Sequence, residues 1–196
     1  MAAVVRTTDA VGSGRAIFID RDGTLVEARH YPRRRDELVL CPGVGEELRA
    51  LRDAGFRVVL VSNQSGVARG FFDEAALAEM HDHLRHELAA RGAALDGIYC
   101  CPHAPEDGCR CRKPSPAMLV DASRDLDLDL SRSWMVGDIL DDVEAGRRAG
   151  CRTVLVDRGT EALDRVAPER TPDVVAANTA VALRHIQRVE LDRARV

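Results

Sequence analysis

The chain has 196 residues, of which 45% are hydrophobic and 31% charged, and its formal net charge is −4. This length suits one domain with a sizeable core, and the composition is that of an ordinary globular protein. The negative charge disfavours sequence-independent binding of nucleic acid, and no apolar run approaches the roughly 18 residues of a membrane span. The first 15 residues lack the apolar segment of a signal peptide. We therefore expect a cytoplasmic protein with neither a nucleic-acid nor a membrane partner.

Apolar runs alternate with helical patterns along the chain. The predicted strands are residues 16–19, 57–62, 97–100, 134–136, 153–156 and, with a weaker pattern, 173–176. The predicted helices are residues 44–54, 73–91, 115–125, 141–149 and 178–189. Alternation of this kind is typical of right-handed βαβ units. We predict an α/β fold, a Rossmann-like three-layer αβα sandwich with a mostly parallel sheet. Residues 1–14 are predicted to be a flexible lead-in and residues 15–196 a single domain.

Two carboxylates follow the first predicted strand. Asp20 and Asp22 lie two residues apart directly after residues 16–19, and Gly23 allows a sharp turn. Ligands bind at this end of the strands in open α/β sheets. A carboxylate pair there suits a nucleophile and an acid/base, and it also suits a divalent metal. Taken alone, the same pattern also fits an ordinary exit from a strand into a turn.

Three further polar motifs stand at or just beyond later strand ends. Ser62 begins a Ser-Asn-Gln-Ser-Gly segment whose hydroxyl and N–H groups can donate to a phosphoryl oxygen, or which is simply a turn. Lys113 precedes a predicted helix, where it either neutralises phosphate charge or is a solvated side chain. Asp138 follows the fourth strand and is placed to bind a metal. Asp141 and Asp142 fit first-turn caps, or one of them holds the lysine or a metal-bound water.

A second cluster consists of three thiols and one imidazole. Residues two apart in an extended segment point to one side, so Cys101 with His103 and Cys109 with Cys111 can each contribute two metal ligands. Three sulfur atoms and one nitrogen suit a closed, structural zinc site. The alternatives are reduced cysteines with an incidental histidine, or a disulfide. Cys100 competes with Cys101, and we favour Cys101 because Cys100 is predicted to end its strand.

The order and spacing of the strand-end motifs resemble the haloacid dehalogenase (HAD) superfamily of aspartate-based phosphotransferases. By this resemblance Asp20 is the nucleophile that forms an aspartyl-phosphate, and Asp22 is the acid/base. Ser62 orients the phosphoryl group and Lys113 stabilises its charge. The resemblance also implies catalytic Mg²⁺, held by Asp138, the Asp20 carboxylate and the Asp22 carbonyl group.

The zinc loop narrows the resemblance to the group of heptose-bisphosphate phosphatases and histidinol-phosphate phosphatases. No long insertion stands where other superfamily members carry a cap domain. The Asn-Gln-Ser-Gly-Val-Ala-Arg-Gly segment, residues 63–70, is closer to the heptose enzymes. Residues 28–31 depart from the heptose pattern, and the arginines at 33–35 fit either a far phosphate or a solvated face. The substrate contacts implied by the resemblance are Arg29, His30, Tyr31, Asn63, Gln64, Ser65, Arg69 and Arg112.

The resemblance therefore predicts a monomeric phosphomonoester hydrolase that acts on a small phosphorylated molecule. The expected reaction removes the 7-phosphate of D-glycero-D-manno-heptose 1,7-bisphosphate. The alternatives are a histidinol-phosphate phosphatase or another small sugar-phosphate phosphatase. From a different class, a zinc-ribbon interaction module or a catalytically inactive zinc-containing binding protein would also account for the cysteines.

Overall fold

The computed structural model of the protein describes residues 14–164 and 166–193. The predicted lead-in at residues 1–14 lies outside these residues apart from Gly14, whose N–H donates to the Asp127 carbonyl group at 3.1 Å. The division into a lead-in and one domain therefore stays a prediction.

The described residues form six strands and five α-helices, which alternate except that β6 follows β5 without an α-helix between them. The strands are β1 (Arg15–Ile19), β2 (Phe56–Asn63), β3 (Gly97–Cys101), β4 (Trp134–Gly137), β5 (Arg152–Val156) and β6 (Val174–Ala176). The helices are α1 (Val44–Asp53), α2 (Glu74–Ala89), α3 (Ala117–Asp125), α4 (Leu140–Ala149) and α5 (Thr179–Arg193). The strands form one sheet in the order β3-β2-β1-β4-β5-β6, and every neighbouring pair is parallel. The predicted parallel α/β fold is confirmed.

The alternation of side chains along the strands divides the core into two layers. On β1, Ile17 and Ile19 pack on one face of the sheet with apolar side chains of α1, α2 and α5. Ala16 and Phe18 point to the other face, where they pack with side chains of α3 and α4. Because helices cover both faces, the central strands β1 and β4 are buried on both sides apart from Arg15 at the start of β1. This is the predicted three-layer αβα sandwich.

Most predicted boundaries differ from the structure by one or two residues and the end of α5 by four; three of these differences have a visible cause. Strand β3 continues through Cys101, because Cys101 pairs with Asn63 and its carbonyl group accepts the Gln64 N–H at 2.7 Å. Helix α3 begins at Ala117 and not at residue 115, with Pro116 as its N-cap. Helix α5 continues to Arg193, and Glu190 in its added turn forms ion pairs with Arg15 and Arg152 at the start of two strands.

The connections at the carboxyl edge of the sheet are loops. Between β1 and α1, residues 20–43 contain a short 3-10 turn at Arg35–Glu37 and isolated bridges that join Val26 to Asp22 and to Leu40. Across residues 14–164 and 166–193 no second domain stands over this edge, as predicted from the lack of a long insertion. The first strand lies between β2 and β4, so the direction of winding reverses beside it. In open α/β sheets this is where ligands bind.

Candidate active site and metal centres

The carboxyl ends of the central strands bring three carboxylates together. Asp20 follows β1, Asp138 follows β4, and Asp142 lies in the first turn of α4. One oxygen from each lies within 4.8 Å of the other two. Asp138 approaches Gly23, which has a φ of +85°, so closely that a Cβ on Gly23 would lie 2.1 Å from Asp138 Oδ2. Glycine at this position therefore permits both the turn and the close approach of the carboxylate.

Lys113 lies between two of these carboxylates. Its Nζ is 2.6 Å from Asp20 Oδ1 and 2.6 Å from Asp142 Oδ1, and it donates to the Val61 carbonyl group at 2.9 Å. The side chain is 1% exposed. Burial alone would lower the pKa of Lys113, but the Asp142 and Asp20 carboxylates outweigh burial and raise it. The lysine is therefore a permanent buried cation. Of the two alternatives for the acids at 141 and 142, the structure places Asp142 on the lysine, whereas Asp141 pairs with Arg170 at 2.7 Å.

The backbone of Lys113 is fixed by Asn63 at the end of β2. The Asn63 side-chain amide accepts from the Lys113 N–H at 3.0 Å and donates to its carbonyl group at 3.1 Å. This two-way bond ties the loop that carries the lysine to the sheet. Asn63 stays a predicted substrate contact, and its amide is engaged with the chain itself.

The site carries more negative charge than the lysine offsets. Burial raises the pKa of Asp20 to about 7; Lys113 acts against this shift, and Asp142 and Asp138 add to it. Burial and Asp142 raise the pKa of Asp138 to about 6. A set of closely spaced oxygen donors with surplus negative charge is the kind of site that binds a hard divalent cation such as Mg²⁺. The donor set therefore fits the predicted metal.

The carboxylate of Asp22 is turned towards a different set of groups. Gln64 Nε2 donates to Asp22 Oδ2 at 2.9 Å and to Ser62 Oγ at 2.8 Å. Arg21 Nε contacts both Asp22 oxygens, at 3.1 Å and 3.0 Å. Gln64, predicted as a substrate contact, is only 4% exposed and links Asp22 to Ser62. Arg21 was not predicted as a site residue, because an arginine in a turn is ordinarily exposed.

An aromatic group stands beside this site. Tyr31 adopts a φ of 48°, and its hydroxyl lies 3.4 Å from Ser65 Oγ. Its ring contacts His30 and Phe71 edge-on, with centroid distances of 4.7 and 4.8 Å. Phe71 was not among the predicted residues, and it is 37% exposed. The motif that ends at residue 70 gave no reason to include it.

The predicted basic substrate contacts are spread around the carboxylate cluster. Arg29 is exposed, Arg69 pairs with Glu106 at 3.7 Å, and Arg112 donates to the His103 carbonyl group at 3.2 Å. Of these, only Arg112 adjoins Lys113 directly. The structure therefore brings Asp20, Lys113 and Asp138 into one cluster and leaves Arg29 and Arg69 outside it.

The predicted sulfur site is also assembled. Cys101 Sγ lies 3.4 Å from Cys109 Sγ and 3.0 Å from Cys111 Sγ, and His103 Nδ1 lies 3.5 Å from Cys101 Sγ and 3.3 Å from Cys111 Sγ. All six cysteines are free thiols. Cys100 lies apart from this group, with its Sγ 3.6 Å from His81 Nε2. Four ligand atoms this close together fit a tetrahedral metal, for which zinc–sulfur bonds of about 2.3 Å are typical.

Comparisons with known proteins agree with this geometry. A family model described as HAD-hydrolase-like matches residues 110–182. A solved structure described as D,D-heptose 1,7-bisphosphate phosphatase from Bordetella bronchiseptica, complexed with magnesium and phosphate, superimposes with a TM-score of 0.80. It is 38% identical, and the match covers 89% of this chain and 98% of that one. The fold and the site thus define a HAD-like hydrolase that cleaves phosphoric monoesters.

Sequence relatives indicate which family of HAD-like hydrolases the chain resembles. A Photorhabdus laumondii protein named D-glycero-beta-D-manno-heptose-1,7-bisphosphate 7-phosphatase is 40% identical over 174 residues, which cover 85% of this chain and 89% of that protein. The Escherichia coli protein of the same name is 40% identical over 165 residues, covering 81% and 83%. The chain belongs to the D-glycero-D-manno-heptose-1,7-bisphosphate 7-phosphatase family of HAD-like hydrolases. Among the helices at residues 14–164 and 166–193, none is both long and apolar enough to cross a membrane.

Proposed function

We propose that this protein removes the 7-phosphate of D-glycero-D-manno-heptose 1,7-bisphosphate through an aspartyl-phosphate on Asp20. The observation that carries the proposal is the contact between Asp20 and the buried Lys113, which holds one carboxylate oxygen at 2.6 Å. A carboxylate fixed in this way beside a cationic site is ready to attack phosphorus. Phosphoryl transfer depends mainly on positioning and charge stabilisation, and this site offers both.

The two half-reactions use the same two aspartates. A carboxylate oxygen of Asp20 attacks phosphorus while the bond to the sugar oxygen breaks, and Asp22 donates a proton to that oxygen. In the second half, Asp22 takes a proton from water, whose oxygen attacks the phosphorus of the aspartyl-phosphate. Inorganic phosphate leaves and the Asp20 carboxylate is restored. Ser62 orients the phosphoryl group, and Lys113 supplies fixed positive charge.

Mg²⁺ would be held by the Asp20 and Asp138 carboxylates and the Asp22 carbonyl group. When bound, it would offset the negative charge of the phosphoryl group and polarise its oxygens. Zn²⁺ would be held by Cys101, His103, Cys109 and Cys111. Because residues 112 and 113 follow this cluster directly, zinc would fix the loop that presents the lysine.

The substrate contacts proposed are Arg29 to Tyr31, Asn63 to Ser65, Arg69 and Arg112. We further propose that residues 15–196 form one domain that acts as a cytoplasmic monomer on this small molecule. Nucleic acid and membranes are not proposed as partners. Light scattering coupled to size-exclusion chromatography tests the monomer.

The decisive experiment compares kcat/KM on the α and β anomers of the heptose bisphosphate with kcat/KM on histidinol phosphate, in Mg²⁺. We expect EDTA-sensitive phosphate release with preference for a heptose anomer, and no turnover by an Asp20→Asn variant that keeps its fold. A preference for histidinol phosphate would overturn the proposed substrate assignment. Near-normal turnover by Asp20→Asn would overturn the mechanism, and no release from any phosphomonoester would leave an inactive binding protein.

A further inference from the structure

Arg21 is a fully buried cation inside the site. It stands between Asp20 and Asp22 in the sequence, and it is 0% exposed. Its Nε contacts both Asp22 oxygens, and its Nη2 lies 2.9 Å from Asp22 Oδ2. Nε therefore donates hydrogen bonds to both carboxylate oxygens, and Nη2 adds an ion-pair contact without a hydrogen bond.

Asp22 is the acid that balances this buried charge. Within residues 14–164 and 166–193, no other carboxylate forms an ion pair with Arg21, and Nη1 and Nη2 have no hydrogen-bond partner. The nearby His81 brings no competing charge, since burial and the positive charges of Arg21 and Arg85 lower the pKa of His81 to about 4. A buried ion pair is a poor source of stability compared with apolar side chains of similar volume. Burying the charge of Arg21 costs free energy, and this cost therefore points to a role in the function of Asp22.

The Asp22 carboxylate is held from two sides. Arg21 contacts one side, and Gln64 Nε2 donates to Oδ2 at 2.9 Å while also reaching Ser62 Oγ at 2.8 Å. The Asp22 side chain nevertheless stays 29% exposed, so it remains open to the site. Its carboxylate is also not one of the three whose oxygens gather within 4.8 Å. These contacts keep Asp22 oriented and separate from the metal-binding acids.

We propose that Arg21 is a positioning residue that fixes the Asp22 carboxylate for proton transfer to the leaving oxygen and from the attacking water. This inference rests on the proposed function, in which Asp22 is the acid/base. The planar guanidinium group suits the task because it meets both carboxylate oxygens at once, whereas an ammonium group would meet them as a point charge.

A double-mutant cycle tests the coupling. Asp22→Asn should lower kcat by about 10²- to 10⁴-fold, the usual size of an acid/base contribution. Arg21→Gln should lower kcat by at least about 10-fold, and Arg21→Lys should recover only part of that loss. The double variant Arg21→Gln/Asp22→Asn should be no slower than Asp22→Asn alone, because Arg21 acts through Asp22. KM should change little in either single variant.

The leaving group supplies a readout that a structural role would not move. Arg21→Gln should slow an alkyl phosphate more than p-nitrophenyl phosphate, whose leaving group departs without a proton. Arg152→Gln is the matched control, since Arg152 is also a largely buried arginine in an ion pair, with Glu190 at the opposite edge of the sheet. It should lower the melting temperature and leave kcat and the leaving-group dependence unchanged.

The outcomes separate this inference from the proposed function. Independent, multiplicative losses in the double variant, or equal slowing of both leaving groups, would overturn the role of Arg21 alone. Near-normal kcat in Asp22→Asn would overturn the acid/base assignment itself. If Arg21→Gln does not fold, the same cycle is run with Arg21→Lys, which keeps the buried charge, and a multiplicative loss there overturns the inference equally.

Discussion

Replacing Lys113 with methionine removes the only lysine of the chain and keeps most of its volume. Its Nζ lies 2.6 Å from oxygens of both Asp20 and Asp142, which are 7% and 0% exposed. At 2.6 Å and an effective dielectric constant of about 20, each carboxylate attracts the ammonium group by about 6 kcal/mol. The desolvation of three buried ions cancels much of this attraction. Removing one member of such a set leaves unpaired buried charge, which typically costs about 3–5 kcal/mol.

We therefore expect Lys113→Met to lower the free energy of unfolding of the Mg²⁺-free protein by about 3–5 kcal/mol. The loss should be smaller in saturating Mg²⁺, because the cation offsets the carboxylate charge that the lysine no longer neutralises. A ligand at 100 times its Kd stabilises the folded state by about 2.7 kcal/mol, and the variant should gain more than the unmodified protein does. Activity should fall to background in both conditions.

Urea unfolding with saturating Mg²⁺ and without added Mg²⁺ measures both quantities; EDTA is left out because it would also remove zinc from the proposed cysteine site. Arg152→Met is the control: Arg152 pairs with Glu190 and covers the Trp134 ring at 3.9 Å, far from the acids. Its loss of stability should not depend on Mg²⁺. A loss for Lys113→Met below about 1 kcal/mol, the value of an exposed ion pair, would refute the reasoning. An identical loss with and without Mg²⁺ would refute it as well.

Three further predictions concern the zinc cluster, a buried histidine and the single lysine. Cys109→Ser should remove bound zinc, lower the melting temperature and reduce kcat. The control Cys100→Ser should keep one zinc per chain. Unchanged activity after zinc loss would contradict the proposed role of the metal. Because burial and nearby guanidinium groups lower the pKa of His81 to about 4, stability should fall as the pH drops from about 6.5 to about 4, by up to about 3 kcal/mol. Urea unfolding at pH 7 and 4.5 should show a smaller drop for His81→Gln, and an equal drop would rule out this source. An amine-reactive label should modify Lys113 only after unfolding, as checked by peptide mass spectrometry. Rapid labelling of Lys113 in the native protein would contradict its burial.

Most of the fold follows from the sequence because the sheet is parallel and buried on both faces. Runs such as residues 16–19 are apolar throughout, and the helical spacing of the segments between them is easily recognised. The errors occur where long-range contacts decide an element's end. Helix α5 gains a turn because Glu190 pairs with Arg15 and Arg152, and these residues are far apart in the sequence.

The site was predictable where its chemistry follows strand ends. Asp20 and Asp138 are brought together by the parallel register alone. The zinc cluster was recognised from its ligand types and spacing, whereas Lys113 received its role through family resemblance, since nothing local shows that this lysine is buried. Arg21 was missed because an arginine in a turn is ordinarily exposed, and only the tertiary structure shows its contact with Asp22.

The surroundings of Lys113 explain why its position carries a lysine in a chain whose other basic residues are all arginines. Three oxygens, from Asp20, Asp142 and Val61, lie within 2.9 Å of Nζ. An ammonium group has three N–H donors around a single point; here Nζ donates hydrogen bonds to Asp20 and Val61 and meets Asp142 as an ion pair. A planar guanidinium group would spread its donors over a wider fork and would not place one nitrogen against all three oxygens.

These contacts also constrain how the lysine acts on substrate. A phosphoryl oxygen that accepts a hydrogen bond from Nζ competes with the three oxygens already around it. The Asp142 carboxylate is wholly buried, and Val61 lies within β2. In the proposed mechanism Asp20 is the partner whose charge is lost when it becomes an acyl phosphate, so its bond to Nζ is the one that weakens as the reaction proceeds. On this proposal Lys113 holds the nucleophile before attack, and its released donor then faces the phosphoryl group that Asp20 has acquired.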